Sequence, residues 1–138
     1  MNKSKVAIFS DIHIGLYKDN EDWHDHAEDW IDYFIKECKN MNISTVFFLG
    51  DWFHYRDSIS VDTLDHGTDL MEKLSDNFKE VVVIVGNHDC YFKDTAEVHS
   101  LGAYNKWDNV TVIDKPKKIN YLEKECMFVP WGAKIPQG

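Results

Sequence analysis

Val81-Val82-Val83-Ile84-Val85-Gly86-Asn87-His88-Asp89 is an unbroken apolar run that stops at glycine and gives way to an amide, an imidazole and a carboxylate. A short β-branched run closed by glycine reads as a strand buried on both faces. Two other segments repeat the plan. Val6-Ala7-Ile8-Phe9-Ser10 leads into Asp11 and His13, and Val46-Phe47-Phe48-Leu49-Gly50 leads into Asp51 and His54. In an open α/β sheet, ligands gather just past the carboxyl ends of the strands. Three distant segments are therefore expected to meet at one edge of one sheet.

The stretches between these runs have helical period. From Glu21 to Lys39, Trp23, Ala27, Trp30, Ile31, Phe34, Ile35 and Cys38 recur at three and four residues, an amphipathic helix. A second helix is expected over roughly Val61 to Leu74, with Leu64, Thr68, Met71 and Leu74 on one face and Ser60 or Asp62 as N-cap. Strands are expected at 5–10, 44–49, 80–85, Val110–Ile113 and Cys126–Val129, with a turn at Asp114-Lys115-Pro116, and a third helix at 95–106. The alternating order implies right-handed crossovers and a mostly parallel sheet. Residues 132–138 have no period and read as a frayed tail.

The 138 residues, 43% hydrophobic, suffice for one domain with a core. No apolar stretch is long enough to span a bilayer, and the strand pattern begins too early to leave room for a signal peptide. Three cysteines without metal-ligand spacing fit a reducing, cytoplasmic compartment. A net charge of −9 argues against a broad basic nucleic-acid surface, although bound cations would invert the field locally.

Taken singly, each strand end is a weak signal, because an Asp after a strand commonly makes a turn. Together they form a coherent ligand set. Asp11 and His13 alternate along extended chain and can reach one ion with an oxygen and an imidazole nitrogen. Asp51 has two oxygens and can bridge two cations roughly 3.5–4 Å apart. Asn87 offers a neutral carbonyl, His88 a proton for a leaving oxygen, and Asp89 a carboxylate to fix the His88 tautomer.

Asp11-x-His13, Gly50-Asp51 and Gly86-Asn87-His88-Asp89, in this order, resemble the first three signatures of the calcineurin-like metallophosphoesterases. Gly50-Asp51-Trp52-Phe53-His54 is similar to the Gly-Asp-x-Phe-His of the DNA-repair nuclease branch of SbcD type. Asn109 to Pro116 and Phe128-Val-Pro130-Trp131 are similar to phage recombination endonuclease subunits of that branch. The resemblance implies a metallophosphoesterase-type β-sandwich with flanking helices. It implies two divalent metal ions, manganese in this branch; spacing does not separate it from magnesium, zinc or iron.

Asp11, His13 and Asp51 would hold the first ion, and Asp51 and Asn87 would begin the second. His88 would be the acid, and His54 would steer phosphate or stabilise the transition state. The implied partners are DNA, an SMC-like ATPase subunit of the SbcC type and a second copy of the chain. Helices near 61–75 and 95–106 would form that homodimer. If phage-encoded, the protein would work in the host cytoplasm.

The family completes its site with three later histidines, whereas no histidine follows His99 here. The chain is therefore expected to be the N-terminal portion of a nuclease domain, inactive or poorly active alone. His24-Asp25-His26 imitates the later Gly-His-x-His motif, but positions two apart on a helix do not share a face. Both rings are expected in solvent, with His66 and His99 on helix surfaces. Two other readings share these motifs: a small-substrate phosphatase or nucleotide phosphodiesterase, and a non-catalytic partner-binding module.

Overall fold

Four short strands, β1 (Ala7–Phe9), β2 (Thr45–Phe48), β3 (Glu80–Ile84) and β4 (Val110–Ile113), lie side by side in chain order, all parallel. They belong to a computed structural model that describes residues 5–134, so residues 135–138 of the expected tail lie outside the described residues. Two long helices make the first crossovers, α1 (Glu21–Asn40) and α2 (Val61–Asn77).

Alternation along the strands divides the interior. Val46, Phe48, Val81 and Val83 face one way, onto Ile31, Ile35 and Cys38 of α1 and Leu70, Met71 and Leu74 of α2. Phe47, Val82 and Ile113 face the other way, onto Phe128. This is the period of two that a strand buried on both sides requires. Complete burial of an aliphatic side chain of this kind contributes about 1.5–3 kcal/mol.

A hairpin of β5 (Lys117–Tyr121) and β6 (Lys124–Phe128) covers that second face. Phe47 meets Tyr121 and Phe128 with both centroid distances at 5.0 Å. Leu122 and Glu123 turn the hairpin with φ of 54° and 64°, the left-handed pair of a type I′ turn. The α/β architecture is as expected, with helices on one face of a parallel sheet and a second β layer on the other. The sequence reading had missed β5 and had placed its partner two residues late, at 126–129.

Both helices are started, and α1 is stopped, by local signals. The Asn20 side chain accepts from the Trp23 amide at 3.1 Å and Ser60 from Thr63 at 3.1 Å, while Asn42 takes a left-handed φ of 57° after α1. Ser60, not Asp62, is the cap. Leu64 is exposed instead of facing the core, and Trp30 of α1 is 42% exposed.

The expected helix at 95–106 is not formed. Only Gly102–Lys106 coils, as a 3-10 turn. The preceding segment is pulled back instead, with Tyr91 N donating to Val98 O and Ser100 N to Asp89 O, both at 2.9 Å. These bonds back to the Asp89–Tyr91 segment outcompete local helix propensity here.

Candidate metal centre

The pairing of β1 with β2 does not stop where the strands stop. Asp11 N donates to Gly50 O at 2.9 Å, His13 N to Asp51 O at 3.0 Å, Ile14 N to Trp52 O at 2.8 Å, and His54 N to Ile14 O at 2.9 Å. The two following loops thus run as a continued ladder, which sets Asp11 and His13 beside Asp51 and His54. Asp11, His13 and Asp51 hold φ of 61°, 48° and 65°. Left-handed backbone is costly for residues with a side chain and clusters at functional sites.

Two glycines let the third loop approach. A Cβ on Gly50 would lie 2.7 Å from the Gly86 Cα, and one on Gly86 would lie 2.6 Å from Asp51 Oδ1. Gly67 of α2 makes room for the loop after β2, where a Cβ would meet Phe53 Cε1 at 2.5 Å.

Asp89 locks this junction. Its buried carboxylate accepts from the amides of Asp51 at 2.8 Å, Trp52 at 2.9 Å, Phe53 at 3.0 Å and Gly86 at 3.0 Å. Burial pushes the carboxyl up to about 6, against the downward pull of the Gly86, Phe53 and Asp51 amides. The expectation that Asp89 fixes the His88 tautomer is corrected by these bonds. All its acceptor capacity toward backbone is spent on two loops, and the His88 Nδ1 lies 2.6 Å from the His54 carbonyl oxygen instead. A carbonyl only accepts, so Nδ1 carries the proton and Nε2 is left as the exchangeable position.

The ligand atoms converge. His13 Nε2 lies 3.4 Å from Asp11 Oδ1 and 3.7 Å from Asp51 Oδ2. Atoms each about 2.1 Å from one ion sit about 3.0–3.5 Å apart, so this triad is close to a coordination sphere. Ser10 Oγ donates to Asp11 Oδ2 at 2.6 Å, turning the other oxygen to His13. The Ser10 hydroxyl first, then Asp51 and His13, hold the Asp11 carboxyl below its ordinary value against the opposing effect of burial.

Asp51 Oδ1 accepts from the His88 amide at 2.7 Å, bringing Asp51 to the Asn87-His88 turn. Asn87 Oδ1 is buried with no hydrogen-bond partner among the described residues, and Asn87 and Asp51 line one cavity under Pro130 and Trp131. A buried carbonyl oxygen without a donor is costly unless a cation or water meets it. The residues present therefore fit a divalent metal.

His13, His54 and His88 place ring nitrogens within 4.8 Å of one another, with the His54 and His88 rings stacked at 5.0 Å. Burial, then the neighbouring His88 and His13 rings, lower the His54 pKa.

Sequence reasoning missed Ser10, and it missed Arg56 and Lys93, which share a groove with His54 and His88. Arg56 lies two residues past His54 in the same loop, which was the available signal. His26 is exposed as expected, but His24 is buried against Thr63, and His99 is tucked against Asp114 at 3.1 Å with its side chain 7% exposed. Among the described residues no helix is long and apolar enough to cross a membrane.

This arrangement agrees with what the chain resembles. It belongs to the calcineurin-like phosphoesterase family, whose model matches residues 4–131. Exonuclease subunit 1 of Enterobacteria phage T4 is 29% identical over 135 residues, covering 97% of this chain and 40% of that protein. The chain thus spans less than half the length of that relative. The crystal structure of Pseudomonas putida nuclease MPE is similar in fold, with a TM-score of 0.55 at 22% identity, covering 83% of this chain and 50% of that one.

Proposed function

We propose that this member of the calcineurin-like phosphoesterase family carries the metal centre of a DNA nuclease, hydrolysing phosphodiester bonds at DNA ends in recombination or repair. The observation that carries the reading is the convergence of His13 on Asp11 and Asp51, with Asn87 and His88 in the adjoining turn. Asp11, His13 and Asp51 would hold one divalent cation, and Asp51 and Asn87 would contribute to a second, manganese being the metal the nuclease branch implies. When bound, the cations supply Lewis-acid charge and an acidified water.

The remaining roles fall to this chain's own side chains. The His54 carbonyl orients the His88 ring, whose Nε2 carries the proton for the leaving 3′-oxygen. His54, Arg56 and Lys93 line the groove beside it and would grip the neighbouring phosphates, locally offsetting the net charge of −9. The T4 relative's description as a subunit supports an assembly, here with an SMC-like ATPase of SbcC type and a second copy of the chain.

The test, on a version that also carries the family's later histidines, compares manganese-dependent cleavage of duplex DNA ends with cleavage of bis-p-nitrophenyl phosphate and mononucleotides. Preference for DNA is expected, and His88→Ala should lower the rate by about 10²–10⁴-fold while sparing manganese affinity. Preference for mononucleotides would favour a small-substrate phosphodiesterase. Loss of metal and rate together would remove His88 from its role.

A further inference from the structure

The first turns of α1 and α2 lie side by side and bring together four groups the phosphoesterase reading does not use. Glu21 and His24 are three apart on α1, and Asp62 and His66 are four apart on α2, spacings that put each pair on one helix face. One ligand atom from each of the four lies within 4.8 Å of all the others. His24 Nδ1 is 3.8 Å from Glu21 and 3.6 Å from Asp62. His66 Nε2 is 3.7 Å from Glu21 and 3.6 Å from Asp62, and the two rings are 4.3 Å apart.

Acidic residues in a first helical turn ordinarily answer the helix dipole. His24 requires more than that. Its side chain is fully buried and its Nδ1 has no hydrogen-bond partner among the described residues. A relay of hydrogen bonds fixes its tautomer. Thr63 Oγ1 donates its only proton to Asp19 Oδ1 at 2.5 Å, so at 3.1 Å from His24 Nε2 it can only accept. Nε2 therefore carries the ring proton, and Nδ1 presents a lone pair. A buried lone pair aimed at two carboxylates is repulsive unless a positive charge lies between them.

We propose that Glu21, His24, Asp62 and His66 form a separate cation site, suited to zinc, that pins the first turn of α1 to the first turn of α2. Two imidazole nitrogens and two carboxylate oxygens are a four-coordinate set that zinc accepts, and four protein ligands mark a structural site. In a tetrahedron with bonds of about 2.0–2.1 Å, ligand atoms stand about 3.3–3.4 Å apart. Each carboxylate meets the two rings through different oxygens, at 3.6–3.8 Å, and one atom from each of the four lies within 4.8 Å of the rest, so the exposed Glu21 and Asp62 side chains must close by up to about 1.5 Å to reach a tetrahedron. The Asp19–Thr63–His24 relay supplies the outer hydrogen bond that ligating histidines characteristically make. The site braces the catalytic loop as well, since Trp23, between two of its ligands, donates Nε1–H to His13 O at 3.1 Å.

The test is cobalt and zinc titration of the 138-residue chain carrying Asp51→Asn, which silences the other centre. One equivalent of cobalt should give the visible absorption of a tetrahedral ion, zinc should displace it, and zinc should raise the thermal midpoint. His66→Ala and Glu21→Gln alter partly or wholly exposed side chains, so both variants should fold, and each should weaken binding at least about tenfold. Thr63→Val should weaken it by about 10–100-fold through the lost relay. A tetrahedral signal indifferent to His66→Ala would overturn the proposal. So would metal binding abolished by Asp51→Asn, or zinc leaving the His24 and His66 ring resonances unmoved, as a plain imidazolium–carboxylate cluster would give.

Discussion

The Nδ1 atoms of His13 and His54 face each other at 3.2 Å. Two ring nitrogens at that distance share one proton, so one ring donates and the other accepts. If His13 donates, its Nε2 keeps the lone pair that looks at Asp11 and Asp51, the state a metal ligand needs. His54 then keeps its proton on Nε2, available to a phosphate oxygen.

The first prediction is a pH dependence. Burial and the His88 and His13 rings hold His54 below its ordinary 6.5. A depressed folded-state value means that its stability contribution is complete above 6.5 and is lost as pH falls through the folded value. In metal-free protein, the His54 ring should titrate below 6.5 by NMR, and wild type should lose stability on acidification more steeply than His54→Gln. Parallel curves for the two proteins would show that the ring is not in this environment.

Asp89→Asn should destabilise the chain by about 2–4 kcal/mol in urea unfolding, because an amide keeps one oxygen for two of the four backbone N–H groups and turns donors toward the other two. Amide exchange at Asp51, Trp52, Phe53 and Gly86 should accelerate with it. A loss under about 0.5 kcal/mol, within the range of an ordinary surface change, would contradict the clamp.

Gly86→Ala should cost about 1–3 kcal/mol, since the new methyl would press first on the Asp51 backbone nitrogen and also stand 2.6 Å from Asp51 Oδ1. Asp51 is the group that must yield, so metal affinity should fall together with stability. Unchanged manganese affinity in a folded Gly86→Ala protein would place the collision elsewhere.

Asp51→Asn and Asn87→Ala should separate the two proposed cations. The first removes the shared oxygen donor and should abolish manganese binding at this centre, whereas the second should leave one equivalent bound, as counted by electron paramagnetic resonance. Identical losses in the two variants would mean a single ion.

The strand ends were legible in sequence because a doubly buried strand must be apolar throughout, and the residue that breaks the run announces itself. Lys117–Tyr121 was not, since only Ile119 and Tyr121 face inward, and Asn120 between them with Lys117 and Lys118 before them hide a short alternation. His24 lies three residues before Ala27 in the same buried stripe, so its burial had a periodic signal that its polarity obscured. The role of Asp89 was out of reach because its partners are main-chain amides, which leave no mark on side-chain spacing. The segment before Gly102 has helical composition, yet its Ser100 amide and Val98 carbonyl are claimed by Asp89 and Tyr91.

The ladder that carries the β1 and β2 loops past their strands is made of main-chain bonds alone. Coordination chemistry at this edge is thereby separable from the frame that presents it. Exchanging His13 for a carboxylate would change the donor set offered to an ion without removing a rung of that ladder, making this sheet edge a natural cassette for redesign.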